Sequence, residues 1–447
     1  MKTFSIGGVH PRENKITAGQ PIVTAPLPQQ AVILLSQHIG APAQCVVEKG
    51  DSVKVGTLLA KANGFVSANI HSPVSGTITK IETVADGSGY QKPAIYINVE
   101  GDEWEESIDR SESLITQCDL SAQAIIDKID QMGIVGIGGA TFPTKVKLMP
   151  PPGMKPEVLI INAVECEPYL TNDHALMLAK ADEIIVGIEI LMKAINVDHT
   201  YIGIEDNKPD AIELFKQKTQ KRKDIEVVRL QCRYPQGGEK QLIDAVIGRQ
   251  VASGALPVST GAIVQNVATA FAVYEAVQKN KPLIERVVTV TGKSLTKPGS
   301  YLARMGMPIS QLIEVAGGMP EDTGKIVLGG PMMGRATANI DTPTGKGTSG
   351  ILVIPESKAH RSEPSPCIRC AKCVAACPMG LEPYLLSKAV AIGNLEIAEE
   401  RNIYDCIECG CCSYSCPAHR PLLDYIRHGK GKVMAIMRAR TSEKSNS

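Results

Sequence analysis

The sequence predicts a multidomain protein that combines two β-rich modules, a Rossmann-like α/β domain and a small helical domain rich in cysteine. Three observations predict this class. The chain has 447 residues, and a single hydrophobic core does not normally support a chain of that length. Its segments change from short strands to alternating strands and helices and back. Most of its 13 cysteines lie near the end. The predicted domain limits are 1–105, 114–258, 259–355 and 360–430, followed by a basic tail at 431–447.

Composition excludes several classes of function. Lys plus Arg and Asp plus Glu both number 47, and the chain has one Trp and five Phe, which argues against nucleic acid as a partner. No segment approaches 18 consecutive apolar residues, and the N-terminus lacks the apolar region of a signal peptide. We therefore expect a chain without a transmembrane segment, in a reducing cytoplasm, that meets any membrane through its partners.

Residues 1–105 consist of short apolar runs separated by Gly, Pro and Asp, which predicts an all-β module. The run 47–59, followed by His71-Ser72-Pro73-Val74-Ser75-Gly76, resembles the barrel-sandwich of lipoyl and biotinyl carrier domains. Those carriers have an exposed Lys where this chain has Phe65. The resemblance therefore implies the fold without the carrier function, as a structural or docking module.

Residues 114–258 alternate between helical and strand patterns. An amphipathic helix spans Leu120–Met132 with Ser121 as its cap, and a buried strand starts at Val158. A polar helix from Pro209 to Lys223 precedes a strand at Ile225–Leu230. This alternation predicts a parallel sheet with helices on its faces.

Residues 259–355 return to short strands around one short helix, Ile309–Val315, a pattern that resembles the soluble-ligand-binding β-grasp. Residues 341–350 are rich in Thr and Gly and predict a flexible loop. Residues 358–366 are polar and contain proline, which is typical of a linker.

Two copies of the pattern C-x2-C-x2-C-x3-C-P follow the linker. This run holds pairs of 4Fe–4S clusters in bacterial ferredoxins, where the fourth cysteine of each copy ligates the other cluster. The predicted first set is Cys367, Cys370, Cys373 and Cys416, and the predicted second set is Cys406, Cys409, Cys412 and Cys377. Zinc sites rarely place four cysteines so close together. Cys411 is either a spare thiol or a register alternative to Cys412.

A Gly-rich segment, 134–147, lies between the first helix and the first strand of the α/β region. Gly136, Gly138 and Gly139 would let backbone N–H groups approach an anion or a flat ring, although the spacing does not fit G-x-G-x-x-G. Lys145 and Lys147 could neutralise phosphate. Polar residues at the end of the next strand lie where such sheets bind ligands: Asn162, Glu165 and Glu167. A structural turn and a solvated loop remain the alternative interpretations.

These segments resemble the FMN- and NADH-binding segments of the flavoprotein subunit of respiratory complex I. Gly237-Gly238-Glu239 and Gln265-Asn266-Val267 resemble two further segments of that site. The opening Gly7-Gly8-Val9-His10-Pro11, with Glu13-Asn14-Lys15, and the doubled cysteine motif make the whole chain similar to the RnfC family of Rnf electron-transport complexes.

The resemblance implies a peripheral subunit on the cytoplasmic face of the inner membrane. Such a subunit takes hydride from NADH through FMN and passes single electrons through two 4Fe–4S clusters to iron–sulfur and integral membrane partner subunits. The residues implied to line the FMN are Gly136, Gly138, Gly139, Asn162, Glu165, Glu239 and Asn266. Those implied to face the nicotinamide nucleotide are Phe142, Lys147 and Glu167.

One departure from the family pattern is Thr141, where complex I has Gly. A β-branched residue adopts positive φ only at a steric cost, so we expect a less tight loop and weaker nucleotide binding. Two alternative functions remain open from the sequence. One is an electron relay without its own NADH and FMN chemistry, and the other is a docking module for partner subunits.

Overall fold

A computed structural model describes residues 1–445 as two β modules, an α/β module and a helical module. Residues 446 and 447, the end of the predicted basic tail, lie outside the described residues. No described helix is both long and apolar enough to span a bilayer.

Residues 30–99 form two antiparallel sheets around an apolar core that contains Ile33, Leu59 and Ile95. An earlier strand, β1 (Ile22–Thr24), belongs to another sheet. The strands of the module are β2 (Gln30–Leu34), β3 (Gln44–Cys45), β4 (Ser52–Val53), β5 (Leu58–Lys61), β6 (Ile70–His71), β7 (Gly76–Ala85) and β8 (Gln91–Val99). One sheet has the order β2-β8-β7-β4 and the other β3-β5-β6. Phe65, at the carrier-lysine position, is 59% exposed.

Residues 122–278 form the α/β module. Its elements are α1 (Ala122–Gln131), α2 (Thr144–Leu148), β9 (Val158–Ala163), α3 (Asn172–Ala179), α4 (Ala181–Ile195), β10 (Thr200–Glu205), α5 (Pro209–Thr219), β11 (Ile225–Leu230), α6 (Glu239–Ile247), β12 (Ala262–Asn266) and α7 (Val267–Gln278). The four strands are parallel in the order β11-β10-β9-β12. The order therefore reverses between β9 and β12, which creates a topological switch point.

The first helix of this module confirms its prediction from the sequence. The Ser121 hydroxyl accepts a hydrogen bond from the Ala124 amide and caps α1, and the predicted face of Ile125, Ile126 and Ile129 is buried. Helix α5 is shorter than predicted, because it ends at Thr219 rather than at Lys223.

The second β module is a six-stranded sheet with the order β1-β14-β13-β17-β15-β16. Its further elements are β13 (Glu285–Thr291), β14 (Gly299–Arg304), α8 (Ile309–Val315), β15 (Thr323–Leu328), β16 (Arg335–Thr337) and β17 (Gly350–Pro355). The loop at 341–350, predicted to be flexible, is instead packed. Lys346 is buried there, and its ammonium donates to the carbonyls of Asn69 at 2.7 Å and Gly133 at 2.6 Å. The loop thereby ties three modules together.

The helical module contains α9 (Glu356–Ala359), α10 (Lys372–Ala375), α11 (Pro383–Ala391), α12 (Leu395–Glu400), α13 (Cys411–Tyr414) and α14 (Leu422–Ser445). Leu386, Ile403 and Ile426 form its core together with buried cysteines. Helix α14 carries the predicted basic stretch. Arg427 and Lys430 on it pair with Glu408, so part of that charge is used within the chain.

Residues 2–17, which we call the N-terminal strap, lie outside the barrel-sandwich although the sequence grouped them with it. Lys2 forms a β-bridge with Leu230 and Val9 with Tyr234, and the Gly8 amide donates to the Ala376 carbonyl at 2.9 Å. Backbone N–H and C=O groups of the strap thus form hydrogen bonds with the α/β and helical modules.

Candidate functional site

The switch point of the parallel sheet brings together the segments that the sequence singled out. Asn162 at the end of β9 is paired in register with Asn266 at the end of β12. The Gly-rich loop and the turn before α6 reach the same edge. Open α/β sheets bind ligands at this position.

Asn266 is held in one orientation by hydrogen bonds at both ends of its amide. Its oxygen accepts from the Ala268 amide at 2.8 Å and caps α7, while its nitrogen donates to the Asp173 carboxylate at 2.7 Å. Gly138 packs directly on it, because a Cβ on Gly138 would lie 2.7 Å from the Asn266 amide nitrogen. A larger residue at position 138 would separate the Gly-rich loop from β12.

Two further contacts join the predicted residues. The Asn162 amide nitrogen donates to the Gly237 carbonyl at 2.8 Å. Lys147 forms an ion pair with Glu239 at 2.6 Å, with both side chains partly exposed. The neighbouring Lys145, predicted to help neutralise phosphate, instead pairs with Asp130 at 2.7 Å.

The Gly-rich loop is closed by backbone bonds. The Gly136 amide donates to the Phe142 carbonyl at 2.8 Å, and the Ile137 amide donates to the Thr269 hydroxyl at 3.0 Å. Gly139 is exposed, with open space where a Cβ would lie. The loop therefore exposes its backbone to solvent at Gly139, while the bonds of Gly136 and Ile137 hold its start in place.

Thr141 adopts the left-handed conformation, with φ of 54°. The chain therefore adopts positive φ at Thr141 despite its β-branched side chain, and this conformation costs an L-residue roughly 1–2 kcal/mol. The carbonyl of Thr141 accepts from the Ile39 amide at 3.4 Å, and its methyl group lies beside Gly347. Both β modules thus pack against this loop, which explains how the strain persists.

Glu165 is bonded to the start of a helix rather than to the Gly-rich loop. Its carboxylate accepts from the amides of Asp173 at 2.7 Å and His174 at 3.2 Å, the first turn of α3. The carboxylate beside Asn266 belongs to Asp173, which no sequence motif singled out. Burial, reinforced by the nearby Glu165 charge, raises the pKa of Asp173 to about 6. The only sequence signal was the polar start of the helix after Thr171, which predicts a cap equally well.

Glu167 binds the turn between β15 and β16 of the second β module. Its carboxylate accepts from the amides of Met332 at 3.1 Å and Met333 at 2.7 Å, and burial raises its pKa to about 7. The Tyr234 hydroxyl lies 3.4 Å from this carboxylate and donates to the Cys409 carbonyl at 2.8 Å. The polar groups after β9 are therefore connected to the cysteine-rich segment, a link that no local sequence pattern signals.

The second predicted cysteine set lines one apolar cavity. Cys377, Cys406, Cys409 and Cys412 border it together with Cys411, and Cys377 comes from the other copy of the motif. Burial raises the pKa of Cys406 and Cys412 to about 12, so these thiols need a bound cation to ionise at neutral pH. Cys409 and Cys412 are buried and Cys377 and Cys406 are half-buried, and four such thiols around one cavity fit a 4Fe–4S cluster. No three His, Cys, Asp or Glu side chains among residues 1–441 are arranged to hold a single metal ion.

The first predicted set of cluster-binding cysteines is closer to solvent than the second. Cys367 and Cys370 are exposed, whereas Cys373 is buried. The pKa of Cys373 is raised by burial and also by the charge of Cys416, which places the crossing cysteine near this set. Cys411 is fully buried, and its thiol points to the Tyr234 carbonyl at 3.9 Å.

Comparison with known proteins covers 97% of the chain. Four family models match: the RnfC barrel sandwich hybrid domain at 2–102, the Nuo51 FMN-binding domain at 129–275, the SLBB domain at 287–336 and a 4Fe-4S dicluster domain at 359–417. One component of the proton-translocating ferredoxin:NAD(+) oxidoreductase complex of Clostridium ljungdahlii is 45% identical over 97% of this chain and 95% of its own length. This chain belongs to the RnfC family.

Other members are similarly close. The equivalent component of the Na(+)-translocating ferredoxin:NAD(+) oxidoreductase complex of Acetobacterium woodii is 42% identical over 97% of both chains. That of the ion-translocating oxidoreductase complex of Rhodobacter capsulatus is 40% identical over 97% of this chain and 84% of its own length. An NAD+-reducing NiFe hydrogenase in its H2-reduced state matches 69% of this chain and 62% of its own, at 19% identity and a TM-score of 0.49, too weak a likeness to decide a fold.

The family models confirm the two cofactor classes predicted from the sequence, FMN and 4Fe–4S clusters. They also confirm the barrel-sandwich, FMN-binding, SLBB and cluster modules of this RnfC family member. Which individual residues hold each cofactor stays a prediction.

Proposed function

We propose that this chain is the electron-input subunit of a ferredoxin:NAD+ oxidoreductase complex. It takes hydride from NADH through FMN and passes single electrons through two 4Fe–4S clusters to partner subunits. The observation that carries this proposal is the switch point, where the Gly-rich loop, Asn162 and Asn266 converge within the chain that also holds both cysteine sets.

The proposed flavin site uses backbone and amide groups more than charge. Gly136, Gly138 and Gly139 give an FMN ring or phosphate close access to the backbone, and Asn162, Glu165, Glu239 and Asn266 supply polar contacts. Bound FMN would convert the two-electron chemistry of NADH into single-electron steps. Phe142, Lys147 and Glu167 are proposed to contact the nicotinamide nucleotide, with Lys147 exchanging its bond to Glu239 for one to the nucleotide.

The two cysteine sets differ in position. The set with Cys377 and Cys409 adjoins Tyr234 and Glu167, so it is the natural first acceptor from the flavin site. The set with the exposed Cys367 and Cys370 is open to a partner protein. This arrangement supports a route from the switch point through the buried cluster to the exposed one.

The complex would lie at the membrane, with this chain as a peripheral subunit on the cytoplasmic face. The relatives are named as subunits of ion-translocating complexes, and no described helix of this chain could span a bilayer. Partner subunits with iron–sulfur clusters and membrane spans would therefore complete the path. The barrel-sandwich, which lacks a carrier lysine, and the β-grasp-like sheet would serve as docking modules.

An artificial-acceptor assay tests the proposal. The purified holoprotein, incubated with FMN under anaerobic conditions, should reduce ferricyanide at the expense of NADH, and removal of FMN should abolish the activity. If the iron-loaded protein bound FMN but left NADH unoxidised, the chain would be an electron relay instead.

A further inference from the structure

The opening motif from Gly7 to Lys15 has no role in the proposed flavin or cluster chemistry, yet it touches both sites. It forms the middle of the N-terminal strap. One end of the motif contacts the loop after β9 and the other contacts the turn that carries Cys377.

Lys15 holds the loop after β9 through its backbone. Its ammonium donates to the carbonyls of Glu165 at 2.8 Å, Glu167 at 2.8 Å and Leu170 at 2.6 Å. These three bonds use all the protons that an ammonium offers. The acceptors are carbonyls rather than carboxylates, so Lys15 determines the path of the loop and leaves both acidic side chains free for other contacts.

The loop that Lys15 holds is strained. Glu165 has a φ of 46° and Tyr169 a φ of 69°, both in the left-handed region. Each such residue costs roughly 1–2 kcal/mol, so the conformation persists only where neighbouring groups impose it. The strap supplies a fourth bond here, because the Tyr169 amide donates to the Glu13 carbonyl at 2.8 Å.

The other end of the motif fits closely against the cluster-bearing turn. The Gly8 amide donates to the Ala376 carbonyl at 2.9 Å. Gly7 has a φ of +69°, and a Cβ on it would lie 2.4 Å from the carbonyl carbon of Cys377. Only glycine allows this approach. Arg233 fixes this end of the strap by donating to the carbonyls of Phe4 and Gly7.

We infer that the strap positions the two redox sites relative to each other. Lys15 holds the loop that carries Glu165 and Glu167, Gly7 holds the turn that carries Cys377, and the short chain between them keeps their separation constant. This inference rests on the proposed function, because it assigns the strap to electron transfer between the flavin site and the second cluster.

A matched pair of glycine variants tests the cluster end. Gly7→Ala introduces a methyl group against Cys377, whereas Gly19→Ala introduces it into open space at a nearly equal φ of +74°. Both carry the same backbone strain, so only contact with the cluster turn differs. In anaerobic stopped-flow with NADH, Gly7→Ala holoprotein should bleach its flavin at the wild-type rate and its clusters at least about tenfold more slowly. Gly19→Ala should match the wild type.

A second pair tests the flavin end. Lys15→Met removes the three carbonyl bonds, whereas Lys2→Met removes one bond of another strap lysine, to the Val246 carbonyl at 2.8 Å. We expect Lys15→Met to slow cluster bleaching at saturating NADH by at least about tenfold with unchanged iron content. Lys2→Met should leave the rate unchanged.

Several outcomes would overturn the inference. Cluster bleaching rates that are equal in Gly7→Ala and Gly19→Ala, or equal in Lys15→Met and Lys2→Met, would show that the strap does not position the sites. Loss of iron from Gly7→Ala would indicate a purely structural role. These failures are separable from failure of the proposed function, in which NADH would bleach neither flavin nor clusters in the wild type.

Discussion

The hydroxyl of Tyr234 donates a hydrogen bond to the backbone carbonyl of Cys409 at 2.8 Å. This contact joins the α/β module to the segment that holds the second cysteine set. Tyr234 also lies 3.4 Å from Glu167 and exchanges backbone bonds with Val9 of the strap. The same residue therefore contacts the loop after β9, the strap and the cluster segment.

Replacement of this tyrosine should destabilise the protein. Tyr234→Phe leaves a buried carbonyl without its donor, which we expect to lower the free energy of unfolding by about 1–3 kcal/mol. Urea denaturation followed by the fluorescence of Trp104 measures the change. Tyr90→Phe is the control, because Tyr90 is 68% exposed. Equal midpoints for the two variants would contradict the importance of the contact.

The two lysines of α2 provide a test of the nucleotide site. Lys147→Met removes the cation paired with Glu239, whereas Lys145→Met removes the one paired with Asp130. Loss of a charge-assisted bond of about 1.5–3 kcal/mol should raise the KM for NADH about tenfold or more in Lys147→Met. The KM of Lys145→Met should stay near that of the wild type. A larger effect at Lys145 would move the predicted nucleotide contact to that side chain.

Relief of strain at Thr141 should stabilise the Gly-rich loop. Thr141 has a φ of 54°. Thr141→Gly removes the steric penalty of this left-handed conformation but adds conformational entropy to the unfolded state. The expected net gain is roughly 0.5–1 kcal/mol in the free energy of unfolding. Thr141→Ala keeps the Cβ and should show no gain. If the alanine variant were stabilised as much as the glycine variant, steric strain at this residue would not be the cause.

Glu167 should make stability depend on pH. Burial raises its pKa in the folded protein from 4.5 to about 7, so the folded state binds the proton more tightly than the unfolded state. The contribution of Glu167 to the free energy of unfolding is therefore complete below pH 4.5. It is lost as pH rises to about 7, and the loss is up to about 3 kcal/mol. Denaturation midpoints of Glu167→Gln should fall less steeply over this range than those of the wild type. Parallel curves would exclude this carboxyl as the source.

Cysteine variants test the crossing of ligands. Cys377→Ala and Cys406→Ala should lose the same cluster and leave about four irons, with the same electron paramagnetic resonance spectrum after dithionite reduction. Cys416→Ala should instead match Cys367→Ala. Cys411→Ala should keep about eight irons, as expected for a thiol outside the repeat. A loss of iron in Cys411→Ala but not in Cys412→Ala would reverse that assignment.

Local patterns predicted the regular elements well. The strand Ile225–Leu230 and the helix Ile309–Val315 have the predicted bounds, because turn residues and apolar periodicity mark both clearly. The four cysteines that the spacing assigns to the second set border one cavity, together with Cys411, and their role as ligands stays a prediction. In each case the information lies within a few residues or in a repeated motif.

The remaining features depend on contacts between distant residues. Lys15 meets the loop after β9 at a separation of 150 residues, and Asp173 rather than Glu165 reaches Asn266. The loop at 341–350 has the composition of a flexible segment, yet the bonds of Lys346 to two other modules hold it. No periodicity within a segment reports which distant carbonyl a lysine will meet.

We propose above all that this single chain accepts electrons from NADH and distributes them to its own clusters. The most direct measurement adds NADH anaerobically to the purified holoprotein, after iron and flavin are counted, and records the visible spectrum. We predict about eight irons per chain and bleaching of both the flavin and the cluster absorption. Clusters that bleach with dithionite but do not respond to NADH, even after FMN is added, would contradict this claim.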